Sequence, residues 1–501
     1  MWNIMQALSG LDASFLFLET NKIPMHIGGV AILEGSLSFD SFQQFLEERI
    51  HCVPRLTEKL ITSPLNVDRP HWRYDEDFDI NLHLHRTALP RPGGWSELRY
   101  LASKVFSLKL DRDRPLWEFT FVEGIDNIPQ VPQGSVALIS KIHHSAFDGK
   151  SGAQLMSMLF DVSPKPRKVP QPGERKKEKL PGTISMLTQG AFNLASRTTR
   201  LPGLLWETGK ATVKTSYIAK VHGIDMPTLP FTAPPTRFND IAGPQRIWDS
   251  SILDLTRVKA IRKAVKDATL NDVVLAICAG GLRRYLLEKN ELPEKPLVAM
   301  VPVSTRSNEQ QEDMGNQVTA MYIQLATNEA DPIKRLETIH INTVIGKLYH
   351  EAIDAESLMG FAEVIPFGLA GVAARYYSRA NIAKKHNPIF NLIITNVPGP
   401  QIPLYMAGHK LHVNMGTAPI IDGMGLIMPV FSYNGTISIS ATSATNLMPD
   451  MNVFVRYVRE AANELEAAAL VALSETPASE PIAKNTTDEA DDIGRPGGES
   501  S

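Results

Sequence analysis

Apolar positions along the chain fall into runs and helical repeats that mark two stretches of mixed α/β character, with a polar, proline-rich stretch between them. Early in the first, Val30-Ala31-Ile32-Leu33 is a short apolar run closed by Glu34-Gly35, which predicts a strand ending in a turn. Residues 42–50 repeat at helical spacing. Residues 135–142 form the clearest strand, and it delivers the chain into His143-His144. Beyond that point residues 151–160 set Leu155, Met156 and Leu159 on one face of an amphipathic helix. In the second stretch residues 255–266 are helical, and Asn271-Asp272 caps a long helix over 273–289. Residues 297–303 and 390–396 read as buried strands, and residues 454–473 as a closing helix.

Four zones follow: residues 1–162, 163–245, 246–473 and 474–501. The second opens with Pro164, Pro166, Pro170, Pro172 and Pro181, interleaved with Lys165, Arg167, Lys168, Arg175, Lys176, Lys177 and Lys179. Proline density and charge predict an extended, exposed linker, either solvated or touching acidic lipid headgroups or phosphates. After it, residues 184–219 read as helical, with Phe192, Leu201, Leu204, Leu205 and Trp206 packing on the core or lying on a membrane surface. The last zone is rich in Pro, Gly, Ser and acidic residues and reads as a disordered tail. Residues 358–374 are the best membrane-span candidate, but Glu363 and Pro366 interrupt them and Arg375 closes them. A span needs about 20 apolar residues.

Composition narrows the classes. With 501 residues the chain is long enough for two or three domains, and 43% hydrophobic with 21% charged residues is a globular balance. The 51 basic against 54 acidic residues give a net charge of −3, which argues against nucleic acid as a partner. Cys52 and Cys278 are too few for a disulfide framework and lack metal-ligand spacing. The start, Met1-Trp2-Asn3-Ile4, lacks the pattern of a signal peptide, so an intracellular setting is expected.

The sequence contains no Gly-x-Ser-x-Gly elbow, P-loop, Gly-x-Gly-x-x-Gly or His-Glu-x-x-His. His83 and His85 sit two apart, as ligands on one strand face would, but without a Cys or a third His nearby they read as structural. The candidate chemistry is at His143-His144-Ser145-Ala146-Phe147-Asp148-Gly149. Successive residues at a strand end point to opposite faces, so one imidazole can face a cavity while the other packs inward. Gly149 permits a tight turn, and Asp148 can hold the loop by pairing with a buried cation. A neutral imidazole with a pKa near 6.5 can accept a proton at pH 7. Taken alone, the stretch is either catalytic or structural.

That heptad matches HHxxxDG, and it does not stand alone. Leu8-Ser9-Gly10-Leu11-Asp12 comes first, with Gly10 where Pro is usual, followed by Met25-His26-Ile27-Gly28, Asp77-Phe78-Asp79 and Pro115-Leu116-Trp117. Asn271-Asp272-Val273-Val274-Leu275-Ala276, Val301-Pro302-Val303-Ser304-Thr305-Arg306, Asn396-Val397-Pro398-Gly399-Pro400 and Ser432-Tyr433-Asn434-Gly435 come after it in order. In this series the chain resembles the bacterial wax ester synthase/diacylglycerol acyltransferase family, within the chloramphenicol acetyltransferase-like, CoA-dependent acyltransferases. Phe147 is bulkier than the residue usual at its place.

The resemblance implies an α/β fold of two chloramphenicol acetyltransferase-like lobes, each a mixed β-sheet with flanking helices, facing across a tunnel. It implies acyl transfer from acyl-CoA to diacylglycerol or a long-chain alcohol, with His144 as general base and no covalent intermediate. His143 then supports the strand, and Asp148 is a structural anchor with Arg306 as a candidate partner. Asn271 and Asp272 either cap a helix or order the site near the acceptor. Pro115, Leu116 and Trp117 are core packing or part of the acyl tunnel. Ser304 and Thr305 donate to the oxyanion or pack at a strand end. Neither a metal nor a permanently bound cofactor is expected; acyl-CoA is a co-substrate. Apolar substrates imply a cytoplasmic protein peripherally associated with a membrane face or lipid inclusions, with 358–374 and the basic linker as the nominated surfaces. The rival readings are an acyl-CoA hydrolase and a non-catalytic lipid-binding protein that keeps the fold.

Overall fold

The computed structural model describes residues 7–62, 68–147, 149–171, 173, 182–198, 231–304, 318–352 and 386–475. Asp148, Lys176, Lys177, Thr305, Arg306, residues 199–219, the apolar run 358–374 and all but the first two residues of the 474–501 tail lie outside them.

The strands are β1 (His26–Leu33), β2 (Glu58–Ile61), β3 (His71–Tyr74), β4 (Leu84–Ala88), β5 (Trp117–Glu123), β6 (Val136–His143), β7 (Arg246–Asp254), β8 (Val298–Ser304), β9 (Val318–Gln324), β10 (Leu392–Pro398), β11 (Tyr405–Met406), β12 (His409–Thr417), β13 (Leu426–Tyr433) and β14 (Thr436–Ala444). The helices are α1 (Gly10–Leu18), α2 (Phe39–Glu47), α3 (Trp95–Ser107), α4 (Gly149–Leu159), α5 (Thr183–Thr198), α6 (Leu255–Ile261), α7 (Leu270–Glu288), α8 (Pro332–Ala352) and α9 (Met451–Glu475).

Two six-stranded mixed sheets carry the fold, in the orders β11-β12-β1-β6-β5-β4 and β7-β14-β13-β10-β8-β9. β1 lies between β6 and β12, antiparallel to both. Its residues Val30 to Leu33 are buried, which is why this strand reads as a continuous apolar run rather than an alternating one. Gly28 and Gly29 let the neighbours close in. A Cβ at Gly28 would sit 1.9 Å from the Ser140 carbonyl oxygen, and one at Gly29 2.0 Å from that of Met415.

The two faces of the first sheet bury different cores. One packs Leu33, Trp117, Phe119, Phe121 and Leu138 with Phe42 and Phe45 of α2. The other packs Val30, Ile32, Ala137 and Ile139 with Leu98, Ala102 and Phe106 of α3 and with Trp248 of β7, so this layer joins the two halves. β7 is an edge strand, and such edges leave backbone donors to be satisfied. Here α3 covers it: the Trp248 N–H donates to Ser103 Oγ at 3.0 Å and the Arg246 N–H to Ser107 Oγ at 2.8 Å. Serines one helical turn apart thereby meet strand residues two apart.

The division into zones does not anticipate where residues 405–417 go. β11 and β12 leave the second half and complete the first sheet beside β1. The Tyr433 hydroxyl pins that ribbon, accepting the Leu404 N–H at 2.8 Å and donating to the Leu411 carbonyl at 3.0 Å.

The cap of α7 also differs from expectation. Thr269 is the N-cap, accepting the Asp272 N–H, while the Asp272 carboxylate accepts the Thr269 N–H in a closed capping box. Asn271 falls inside the first turn, so its side chain is released for another partner. Within 184–219, α5 bears out the helical pattern to Thr198, with Ile184 and Phe192 exposed. No helix among the described residues is long and apolar enough to cross a membrane.

Candidate active site

β6 carries the histidine pair to the end of the first sheet. The His143 N–H donates to the Leu116 carbonyl and the His144 N–H to the Met25 carbonyl, each at 2.9 Å. Both flanking strands therefore fix the backbone of the pair. The two rings then part, as the strand alternation predicts.

The His143 ring is fully buried, with Nδ1 hydrogen-bonded and Nε2 enclosed without a hydrogen-bond partner. Its Nδ1 accepts the Ser145 N–H at 3.1 Å and lies 2.7 Å from Ser145 Oγ. A backbone N–H can only donate, so Nδ1 is the unprotonated nitrogen and the neutral ring carries its proton on Nε2. That Nε2 faces the Glu19 carboxylate at 3.6 Å. Burial lowers the His143 pKa and outweighs the opposing pull of Glu19. Directly opposite His143, His26 on β1 is also buried, and desolvation, with the Lys141 and His143 charges adding to it, holds it well below the ordinary imidazole range.

The His144 ring is free of such commitments. It stacks on Phe15 of α1 with centroids 3.9 Å apart and 9° between planes. Its Nδ1 is buried without a hydrogen-bond partner, while the residue as a whole keeps partial exposure. Burial pushes its pKa down to about 4, with the residue's own backbone carbonyl pulling the other way and the His143 charge adding to the lowering. The ring is thus neutral at pH 7 by a wider margin than the 6.5 expected from sequence.

Glu19 joins these parts, and the sequence reading does not single it out. Burial would raise its carboxyl, but the hydrogen bonds and charges of His143 and Arg112 outweigh that and hold it at about 2. Arg112 bonds Glu19 Oε2 at 2.7 Å and the Leu16 carbonyl at 2.7 Å. The one local signal is an acid that closes the apolar helix of residues 10–18, and nothing in that pattern points to His143.

Leu116 meets the His143 backbone through its carbonyl, and no contact joins the remaining candidate side chains to the His144 ring among the described residues. Pro115, Leu116 and Trp117 are buried in the first-half core. The Trp117 indole N–H donates to the Leu56 carbonyl at 2.8 Å, and its ring stacks on His83 at 4.5 Å. His83 Nδ1 meets the Trp117 carbonyl at 2.8 Å, a structural role, while His85 is half exposed beside Glu118. No group of three or more metal-ligating side chains occurs among the described residues. Asn271 accepts from Asn396 Nδ2 at 3.3 Å. Asp272 is fully buried; one oxygen meets His340 Nδ1 at 2.9 Å, and the other has no partner. Gly149 opens α4, and Ser304 ends β8 opposite Val318.

The fold of two mixed sheets with flanking helices is shared with condensation domains. The first condensation domain of the CDA synthetase matches with a TM-score of 0.54 over 94% of this chain and 98% of its own, at 14% identity. A starter condensation domain of rhizomide synthetase, solved in complex with C8-CoA and Leu-SNAC, matches with a TM-score of 0.53 at 13% identity, over 93% of this chain and 94% of its own. Those likenesses define the fold class. Within it, the family is shown by closer matches: residues 8–274 match the wax ester synthase/diacylglycerol acyltransferase catalytic domain, and residues 314–466 match the WS/DGAT C-terminal domain. The O-acyltransferase WSD of Acinetobacter baylyi is 31% identical over 91% of this chain and 96% of its own. A Mycobacterium tuberculosis relative is 35% identical over 90% of this chain and 88% of its own. The wax ester synthase/diacylglycerol acyltransferase from Marinobacter aquaeolei VT8 superposes with a TM-score of 0.66 at 26% identity, covering 93% of this chain and 100% of that one. The chain belongs to the wax ester synthase/diacylglycerol acyltransferase family.

Proposed function

We propose that this chain transfers a long-chain acyl group from acyl-CoA to the hydroxyl of diacylglycerol or of a long-chain alcohol, with His144 as general base. The observation that carries the reading is the contrast between the two rings. His143 has its Nδ1 lone pair occupied by Ser145, and its Nε2, 3.6 Å from Glu19 and without a hydrogen-bond partner, is fully buried, so burial withholds it from a substrate. His144 is neutral and partly open, with Nδ1 turned to the interior, which leaves Nε2 for the acceptor.

In the reaction, Nε2 takes the acceptor hydroxyl proton as its oxygen attacks the thioester carbonyl. The tetrahedral intermediate collapses with cleavage of the C–S bond, and the CoA thiolate receives the proton from the imidazolium. The His144 cation is costly in the free site, because burial disfavours charge. The oxyanion that develops beside it offsets that cost. Ser304 and Thr305 are the proposed oxyanion donors. Asn271 and Asp272 are proposed to order the acceptor side through Asn396 and His340. A thioester is already activated, so no metal is needed. Acyl-CoA as donor is supported by the family and by a condensation-domain neighbour that shares the fold and was solved with C8-CoA.

Apolar substrates place the enzyme at a membrane or lipid droplet. Ile184 and Phe192, exposed on α5 after the basic stretch, support that surface as the contact. The test is an assay of the purified chain with palmitoyl-CoA and either diacylglycerol or hexadecanol, supplied in anionic vesicles or in detergent. Neutral lipid as product, formed faster on vesicles, is the expected result. Free fatty acid would make the chain a hydrolase, binding without turnover would make it a lipid-binding protein, and equal rates in detergent would remove the membrane contact.

A further inference from the structure

We infer that Glu19 is a positioning residue for His144: one buried residue, its carboxylate clamped by Arg112, ties together the three elements that hold the base. This rests on the reading of His144 as the base.

Each tie is separate. Through its backbone, Glu19 is the C-cap of α1, its N–H donating to the Phe15 carbonyl at 3.1 Å, and Phe15 is the residue stacked on the His144 ring. Through Oε1 it accepts the Met25 N–H at 3.3 Å, and the Met25 carbonyl in turn accepts the His144 N–H. The same oxygen faces His143 Nε2, whose ring is locked to Ser145 immediately after His144. The start of β1 and the β6 end therefore converge on a carboxylate that is 2% exposed, and the same residue's backbone closes the α1 end.

Charge makes the clamp directional. Arg112 holds Oε2 and also caps the C-terminal carbonyls of α1 through Leu16, where a cation is favoured by the helix dipole. Oε1 is left for Met25 and His143. A neutral amide at residue 19 would turn an N–H toward Arg112 or toward the Met25 N–H, and one tie would be lost in either orientation. No other carboxylate pairs with His143 among the described residues.

A base displaced from its acceptor by a fraction of an ångström to an ångström loses rate rather than affinity, by up to about 100-fold. Glu19→Gln is therefore expected to lower kcat about 10- to 100-fold while the KM for palmitoyl-CoA stays within about twofold and the thermal unfolding midpoint is nearly unchanged. A His144→Ala control runs beside it. In the unmodified protein, selective 15N-histidine NMR, assigned with a His143→Gln variant, is expected to show His143 protonated on Nε2 and not on Nδ1. An inactive His144→Ala with a fully active Glu19→Gln overturns this inference and leaves the proposed function standing. A fully active His144→Ala removes both. A Glu19→Gln that raises KM at unchanged kcat also overturns the inference, because it makes Glu19 part of a binding wall. Should Glu19→Gln fail to fold, Glu19→Asp, which keeps the charge and shortens its reach, decides: a full kcat contradicts the clamp, and a lowered kcat at unchanged KM supports it.

Discussion

Replacing His144 by alanine is expected to lower kcat by about 10²- to 10⁴-fold, the usual worth of a positioned general base. The protein should remain folded. The backbone contact from His144 to Met25 survives the change, and the ring is not part of the continuous core. What is lost is the stack on Phe15, a contact worth about 0.5–1.5 kcal/mol. Removing a desolvated imidazole without a hydrogen-bond partner on Nδ1 offsets part of that. Steady-state turnover with hexadecanol, together with a thermal melt, checks both halves. Full turnover would exclude the base, and loss of the folded state would assign His144 a structural role.

Trp117→Ala should show the reverse pattern. Its side chain is 1% exposed, so truncation leaves a cavity and costs about 3–5 kcal/mol. It also strips the Leu56 carbonyl of its donor and His83 of its stacking partner, so the loss should fall at the upper end. Denaturant unfolding measures this directly. If Trp117 acts by packing, the folded fraction of the variant keeps an ordinary KM for acyl-CoA. If it lines the acyl path, KM rises sharply while stability changes little.

Much of the fold was legible because it is local. Val30 to Leu33, residues 135–142 and residues 297–303 are apolar runs; the first lies in β1, and the other two fall in β6 and β8 from their second residue on. The helix at 273–289 was legible from its apolar face, but its start was not. Thr269 and Asn271 are both good caps, and only the path of the chain decides that Thr269 closes the box while Asn271 turns to Asn396. The crossover of β12 onto β1 had no local signal, since pairing between distant segments is set by the packing of whole halves. At the site, HHxxxDG marked the histidines, whereas their difference in character came from tertiary contacts. Ser145 fixes one ring, Phe15 covers the other, and Glu19 links them across three elements.

The measurement that tests the account most directly is the pH dependence of kcat/KM for hexadecanol at saturating palmitoyl-CoA, an acceptor with no titrating group of its own. A base acts in its neutral form, so the rate must fall as pH drops through the folded-state pKa of His144, which burial has lowered to about 4. The account predicts a rate that is level from pH 8 to pH 6 and reaches half its value near or below pH 4, with that limb absent from the residual activity of His144→Ala. A half-value near the ordinary imidazole pKa of about 6.5, or the same limb persisting after His144 is removed, would contradict it.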